Sequence, residues 1–205
     1  MAEISHGLVL GIISATHPQY VFLAENNSIL IEKKLVRTRM TGNRIIPSVR
    51  SCLDEIGCGI QSVDTFLALS GPGSMTGIRV GLAPVRAWAY TSGKSVVTLD
   101  TLSVLAEGFE RPTLALMSAG QVNWWIQAFS GSISDTPRLV DRSKLYDYDK
   151  IDWNWVTPSR IEPKHAKKIT QSPTPTQVLS SMNSAPATNW VKARPRYLFE
   201  LSKNG

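Results

Sequence analysis

Apolar positions along the chain fall into two rhythms, and the change from one to the other marks its elements. Leu8 to Ile13 is a continuous apolar run, which predicts a buried strand. Tyr20 to Leu23 predicts a second strand after a His17-Pro18 turn, and Asn26-Asn27 turns the chain into a third over Ile29 to Val36. From Thr41 the rhythm becomes helical: Ile45, Ile46, Val49, Cys52, Leu53 and Ile56 recur at steps of three and four, and Gly57 ends the run. Phe66 to Leu69 predicts a buried strand running into a tight loop, Ser70-Gly71-Pro72-Gly73. Ser74 or Thr76 then caps a helix reaching Tyr90, with Ile78, Leu82, Val85 and Ala89 along one face. Ser95 to Leu99 reads as a strand, and Thr101 or Ser103 caps a short helix that Gly108 ends, closing a first lobe over residues 1–110.

A second, smaller lobe over residues 111–205 opens with a hairpin, Thr113 to Met117 and Val122 to Phe129, around Ala119-Gly120. Adjacent Trp124 and Trp125 point to opposite faces of their strand, one inward and one outward. Asp147 to Trp155 reads as an aromatic loop, either a ligand shelf or large side chains filling a thin core. Pro173 and Pro175 introduce a last short helix around Gln177 to Met182, and Asn183 to Thr188 is a linker before a terminal strand or tail.

Composition narrows the class. Cys52 and Cys58 have neither a partner Cys nor a nearby His, so neither a zinc site nor a secreted disulfide framework is expected, and a reducing cytoplasm fits. The first apolar run lacks a basic leader and no stretch of 18 apolar residues occurs, so neither a signal peptide nor a membrane span is expected. The formal net charge of +6 favours an acidic partner or RNA. It is loosely clustered: Lys33, Lys34, Arg37, Arg39 and Arg44 lead into the first helix, and Lys164, Lys167 and Lys168 surround His165. Neither group shows interleaved aromatics in the sequence, and solvated faces account for both equally well.

The glycine turn at a helix N-terminus raises the question of phosphate binding. A P-loop requires Lys and Ser or Thr after its last glycine, whereas Ile78-Arg79 follow Gly77. The dinucleotide fingerprint fails as well, because the third glycine falls one residue late. A loop that only packs strand against helix fits the same spacing.

The run Gly71-Pro72-Gly73-Ser74-Met75-Thr76-Gly77-Ile78-Arg79-Val80-Gly81-Leu82-Ala83 resembles the G-P-G-S-F-T-G-x-R-x-G-x-A signature of the TsaB (YeaZ) family, with Met75 where Phe is usual. That family is the non-catalytic partner in bacterial tRNA threonylcarbamoyladenosine synthesis. The resemblance is strongest from Met40 to Gly108, and Pro195-Arg196-Tyr197-Leu198 is similar to the family's closing P-x-Y-L. It implies an α/β protein of the actin-like ATPase (ribonuclease H-like) superfold, with two small lobes and degenerate nucleotide-site motifs. The acidic residue that ends the superfold's first strand is replaced by Ile13, followed by Ser14 and Ala15, and Ser118-Ala119-Gly120 stands where the family carries Asp-Ala-Arg.

The resemblance further implies that the helices Thr41 to Ile56 and Thr76 to Tyr90 form a four-helix interface with a second TsaB or with the catalytic TsaD. Ile45, Val49, Cys52 and Leu53 on the first, and Ile78, Leu82, Val85 and Ala89 on the second, are the candidate contact residues; Gly71, Gly73, Ser74, Thr76 and Gly77 form the glycine loop. Both stripes would serve equally to cover the chain's own sheet. The second helix also carries Val80, Gly81, Pro84, Ala87 and Trp88 on its other flank, and a helix apolar on two sides is buried on two sides. Pro84 removes one intrahelical bond.

No catalytic constellation can be assembled. His6, His17 and His165 are scattered, without the H-x-x-x-H pair of the family's catalytic paralogue, and no G-x-S-x-G elbow or close carboxylate pair occurs. The expectation is a non-enzymatic scaffold with no catalytic, cofactor-binding or metal-ligating residue and no cofactor. Its partners would be a TsaD-like catalytic subunit, a TsaE-like ATPase, a second copy of itself when alone, and tRNA indirectly. An ATP-dependent kinase or peptidase of the same superfold, and a self-associating homodimer that no longer binds TsaD, are the alternatives.

Overall fold

The computed structural model describes residues 7–35, 41–109, 112–130 and 133–195. Glu3, His6, Arg37, Arg39, Met40 and Arg196-Tyr197-Leu198 lie outside the described residues. Strands β1 (Leu8–Ile13), β2 (Gln19–Glu25) and β3 (Ser28–Leu35) form an antiparallel meander. β4 (Thr65–Gly71) pairs parallel with β1, and β5 (Ser95–Asp100) parallel with β4. The sheet order is β3-β2-β1-β4-β5. β1 and β4 are buried at every residue, which is why they read as unbroken apolar runs, whereas edge strand β3 alternates between exposed and half-buried positions.

A 3₁₀ turn over Thr41–Arg44 leads into α1 (Ile45–Glu55), so the regular helix begins four residues later than the periodicity predicts. α2 (Met75–Ser92) is capped by Ser74, whose hydroxyl accepts from the Gly77 amide, and ends at Gly93 in the left-handed region. It continues through Pro84. The cap of α3 (Thr101–Ala106) is Asp100 rather than Thr101 or Ser103, because the Asp100 carboxylate accepts from the amides of Leu102 and Ser103.

The second sheet repeats the plan of the first. β6 (Thr113–Ala119) and β7 (Asn123–Ser130) are antiparallel, and the short β8 (Ile133–Ser134) and β9 (Arg138–Asp141) both pair with β7. On the other side β10 (Asn154–Thr157) and β11 (Lys167–Thr170) follow in parallel. Two sheets of this one order, each a meander with two parallel strands added beside its first strand, fit the duplicated actin-like plan. Asp147 to Trp155 is therefore not a loop throughout: its end enters a central strand and places Trp155 fully inside.

Both tryptophans of β7 are buried, so neither is the outward one expected. Trp125 packs with Leu102, Leu105 and Met117 on the α3 side, and Trp124 with Leu116, Leu145 and Trp155 on the other. The chain then returns: α4 (Pro175–Met182) sends Val178, Leu179 and Met182 into the core of the first sheet, joined by Ala193. Residues 111–205 thus build more than the second lobe. No helix among the described residues is long and apolar enough to cross a membrane.

Candidate functional site

The glycine turn lies where β4 hands over to α2, and its closest neighbour is the chain itself. The Ser74 amide donates to the Ala15 carbonyl at 2.8 Å, and the Ser14 hydroxyl donates to the Gly77 carbonyl at 2.8 Å. A Cβ on Gly77 would stand 2.0 Å from the Ser14 carbonyl oxygen, and one on Gly73 would stand 2.4 Å from that of Ala15. These glycines let two backbones touch. Gly71 also takes a positive φ, of 111°, while the Thr76 side chain is turned to solvent.

The segment filling that space is the one after β1, which begins at the position where Ile13 replaces the superfold's acidic residue. Ile13 is fully buried in the first core, and Ser14, Ala15 and Thr16 are buried behind it. An aliphatic side chain in place of a carboxylate leaves nothing there to position a hydrated metal-phosphate group. Thr16 Oγ1 and Gln19 Oε1 are buried with no hydrogen-bond partner.

Beyond the loop, a cleft of about 380 Å³ opens between the lobes. Pro72, Gly73, Ser74, Met75 and Ile78 form one wall; Met117, Ser118, Ala119, Gly120 and Trp125 form the other. None of these side chains is charged. The Ser159 hydroxyl accepts from the Ser118 amide at 3.2 Å and tethers this hairpin to the segment after β10. Among the described residues no group of three or more His, Cys, Asp or Glu side chains could hold a metal ion. The cleft can accept an uncharged apolar group; it offers no side chain to neutralise a polyphosphate.

The candidate interface residues require a correction. Ile45, Val49, Cys52 and Leu53 of α1, and Ile78, Leu82, Val85 and Ala89 of α2, are all buried in the core of the first sheet. In this chain those stripes cover its own strands. Burial pushes the Cys52 thiol up to about 11, as expected for an inert core cysteine. Of the second apolar flank of α2, Gly81 is buried against Ser14, Ala87 is exposed and Val80, Pro84 and Trp88 are half-buried, with Thr76 and Ala83 exposed beside them. Between Trp88 and the outer flank of α1, a shallow groove of about 260 Å³ is lined by Ile46, Arg50, Asp54, Cys58 and Ile60, with the edges of the core residues Val49 and Leu53 at its floor. Ile46 is 50% exposed.

On the opposite flank of α2 the tail packs in a way that periodicity does not reveal. Trp190 meets Tyr90 edge-on at 4.9 Å, and Arg86 Nε donates to the Trp190 carbonyl at 2.9 Å. Thr188 pairs with Val96 at the edge of β5. The outer strip of α2 therefore lies between the α1 groove and the tail.

The profile of the family described as "TsaD: tRNA N6-adenosine threonylcarbamoyltransferase" matches residues 37–180, and curated TsaB proteins of several bacteria match the same chain. The chain belongs to the TsaB (YeaZ) family within that TsaD-type group. The TsaB of Escherichia coli K12 is 28% identical over 123 residues, covering 57% of this chain and 53% of its own length. A tRNA N6-adenosine threonylcarbamoyltransferase of Sphingopyxis alaskensis is 31% identical over 81 residues, covering 38% of this chain and 24% of that protein. The chain thus spans about half, or less, of the curated relatives it matches. The structure of YeaZ from Pseudomonas aeruginosa superposes with a TM-score of 0.75 at 20% identity, over 94% of this chain and 100% of that one, which establishes the shared fold. Within the TsaB family signature, the glycines of this chain serve the contact with Ser14 and Ala15 described above.

Proposed function

We propose that this chain is the non-catalytic scaffold of a tRNA threonylcarbamoyladenosine complex, docking onto a TsaD-like catalytic subunit through the outer faces of α1 and α2. The observation that carries this reading is the uncharged strip Thr76, Val80, Ala83, Pro84 and Ala87, which continues into the groove at Trp88 and Ile46. A continuous helix face of small, uncharged side chains leading into an apolar groove supports a covered face. A stable helical interface buries on the order of 2,000 Å². Ile13 and the filled loop behind it support a role without nucleotide chemistry of its own. A TsaE-like ATPase joins the complex in the cytoplasm, and in the absence of TsaD the same face pairs with a second copy.

Size-exclusion chromatography with light scattering tests this, using the chain alone and mixed with the TsaD of the same organism. A one-to-one complex is expected, and Ala87→Glu is expected to abolish it while leaving the melting temperature within about 2 °C, because Ala87 is a surface position. A complex unaffected by Ala87→Glu overturns the assigned face. A homodimer indifferent to TsaD favours self-association, and tight magnesium-ATP binding by the isolated chain would restore the enzyme alternative.

A further inference from the structure

Residues 1–110 contain nine Lys and Arg against nine Asp and Glu, and residues 111–205 contain thirteen against seven, so the whole formal charge of +6 resides in the second part. The structure shows where much of it gathers. The 3₁₀ segment Arg142–Tyr148 and the chain onward to Lys168 close over Trp124, Leu145 and Trp155 on the side of the second sheet away from α3.

Most carboxylates in this cover are engaged. Asp149 accepts three backbone amides, Asp141 caps Ser143, and Asp135 and Glu162 pair with Arg138 and Lys168. Among the described residues, Arg142, Lys144, Lys150, Arg160 and Lys164 have no carboxylate in ion-pair range, and of the carboxylates in this cover Asp147 and Asp152 remain unengaged to offset them.

Several cations are set among aromatic rings, which the order of residues in the chain does not display. Lys164 Nζ lies 5.5 Å from the centre of the Tyr146 ring, Lys150 Nζ 5.7 Å from that of Trp153, and the Arg138 guanidinium 5.7 Å from that of Tyr148. A ring beneath a lysine limits where its ammonium can go, and the Tyr146 ring, which also tilts against Trp155 with centroids 6.3 Å apart, keeps its exposed part for a base. Tyr146 is 39% exposed.

We infer that this outer face of the second lobe is a contact surface for RNA, taking the phosphates of a loop on its unpaired cations and an unstacked base on Tyr146. Unpaired cations set among one exposed ring, Tyr146, and the half-buried rings of Tyr148 and Trp153 suit a single-stranded backbone with a splayed base. Choosing tRNA as that RNA rests on the proposed function; the binding itself does not.

The test is fluorescence anisotropy of a labelled tRNA anticodon stem-loop with the full chain at 50 and 200 mM salt. Binding is expected to weaken about twentyfold or more over that range, the change produced by roughly three neutralised phosphates. The triple variant Lys144→Ala, Lys150→Ala, Lys164→Ala should weaken binding at least about tenfold at 50 mM salt and flatten the salt dependence, since each cation removed lowers the slope. Tyr146→Ala should cost about fivefold or more, the lower end of what one stacked base contributes. Circular dichroism and co-elution with TsaD, measured on the same variants, separate RNA contact from folding and docking. Undetectable RNA binding by the parent chain, equal binding by the triple variant, or binding to anionic lipid vesicles but not RNA each overturns the inference. Loss of TsaD co-elution with RNA binding intact would instead sink the docking proposal and leave this one standing.

Discussion

At Gly77, local preference and tertiary contact oppose each other. Helix propensity favours alanine over glycine inside a helix by about 1 kcal/mol, whereas the new Cβ would lie 2.0 Å from the Ser14 carbonyl. The obstacle is backbone at the end of a buried strand, so neither side can yield cheaply. Gly77→Ala is therefore expected to destabilise the chain by about 2–3 kcal/mol in a urea melt, as overpacking does. A neutral or stabilising result would show that the loop does not hold this approach in solution. Thr16 makes the complementary case. Its buried Oγ1 lacks a partner, so Thr16→Val removes an unsatisfied polar atom at nearly constant volume and is expected to leave stability unchanged or raise it by up to about 1 kcal/mol. A loss above 1 kcal/mol would reveal a bound water completing the site.

Among the elements, those bounded by local chemistry were readable. β1, the β6–β7 hairpin and α2 come close to the spans their patterns predict, because buried strands read as continuous apolar runs and Ser74 caps its helix with its own hydroxyl. β10 and β11 were not, since each is only four residues long, β10 is held by β6 far back in the chain and β11 by β10 alone, with Lys167 and Lys168 inside the second. The same limit governs the candidate site: periodicity identifies the apolar stripes of α1 and α2 but not which side meets the sheet, and the inward set proved to be the one first nominated for partners. Asp149 shows how the less regular lobe is fastened. It accepts from the amides of His165 at 3.0 Å and Ala166 at 2.7 Å, joining the segment before β10 to the one before β11. Burial pushes this carboxyl up, but the amides of Ala166, Lys164 and His165 together with the His165 side chain outweigh it, and the net result lies below the ordinary aspartate value. A lowered folded-state value means that the stabilisation is present above the unfolded value of about 3.9 and is lost as pH falls through the folded one. The melting temperature of Asp149→Asn is thus expected to fall below that of the parent at pH 7, with the gap closing below about pH 4. A gap constant with pH would place the effect in packing rather than in the charge.

For the whole molecule, the division into lobes by strand order and the division by folding do not coincide. β6 to β11 form a sheet of their own, yet the chain beyond them completes the first core: Val178 and Met182 are fully buried there, and Leu179 is 6% exposed. The Gln177 amide donates to the Glu107 carbonyl at 3.1 Å, and the capping box of Thr174 and Gln177 fixes α4 where it crosses back. Burying a large aliphatic side chain contributes about 1.5–3 kcal/mol, so three of them amount to about a third or more of the roughly 5–15 kcal/mol by which a domain is stable. A chain ending at residue 170 retains every strand found among the described residues, and if the lobes were independent along the sequence it would fold. We expect instead that it lacks a cooperative thermal transition by circular dichroism, and that Met182→Ala in the full chain costs about 2–4 kcal/mol. The unfolding should also begin in the first sheet although the deletion lies beyond the second, which hydrogen exchange resolves: loss of protection in β3 and β5, which α4 contacts, ahead of β6 and β7 is the expected order. Protection lost first in β6 and β7 would mean that the returning segment is fastened mainly to the second lobe. The face proposed for TsaD depends on the same closure, because Trp190 and Arg86 join the tail to α2, so shortening the tail should weaken complex formation without altering any residue of the docking strip.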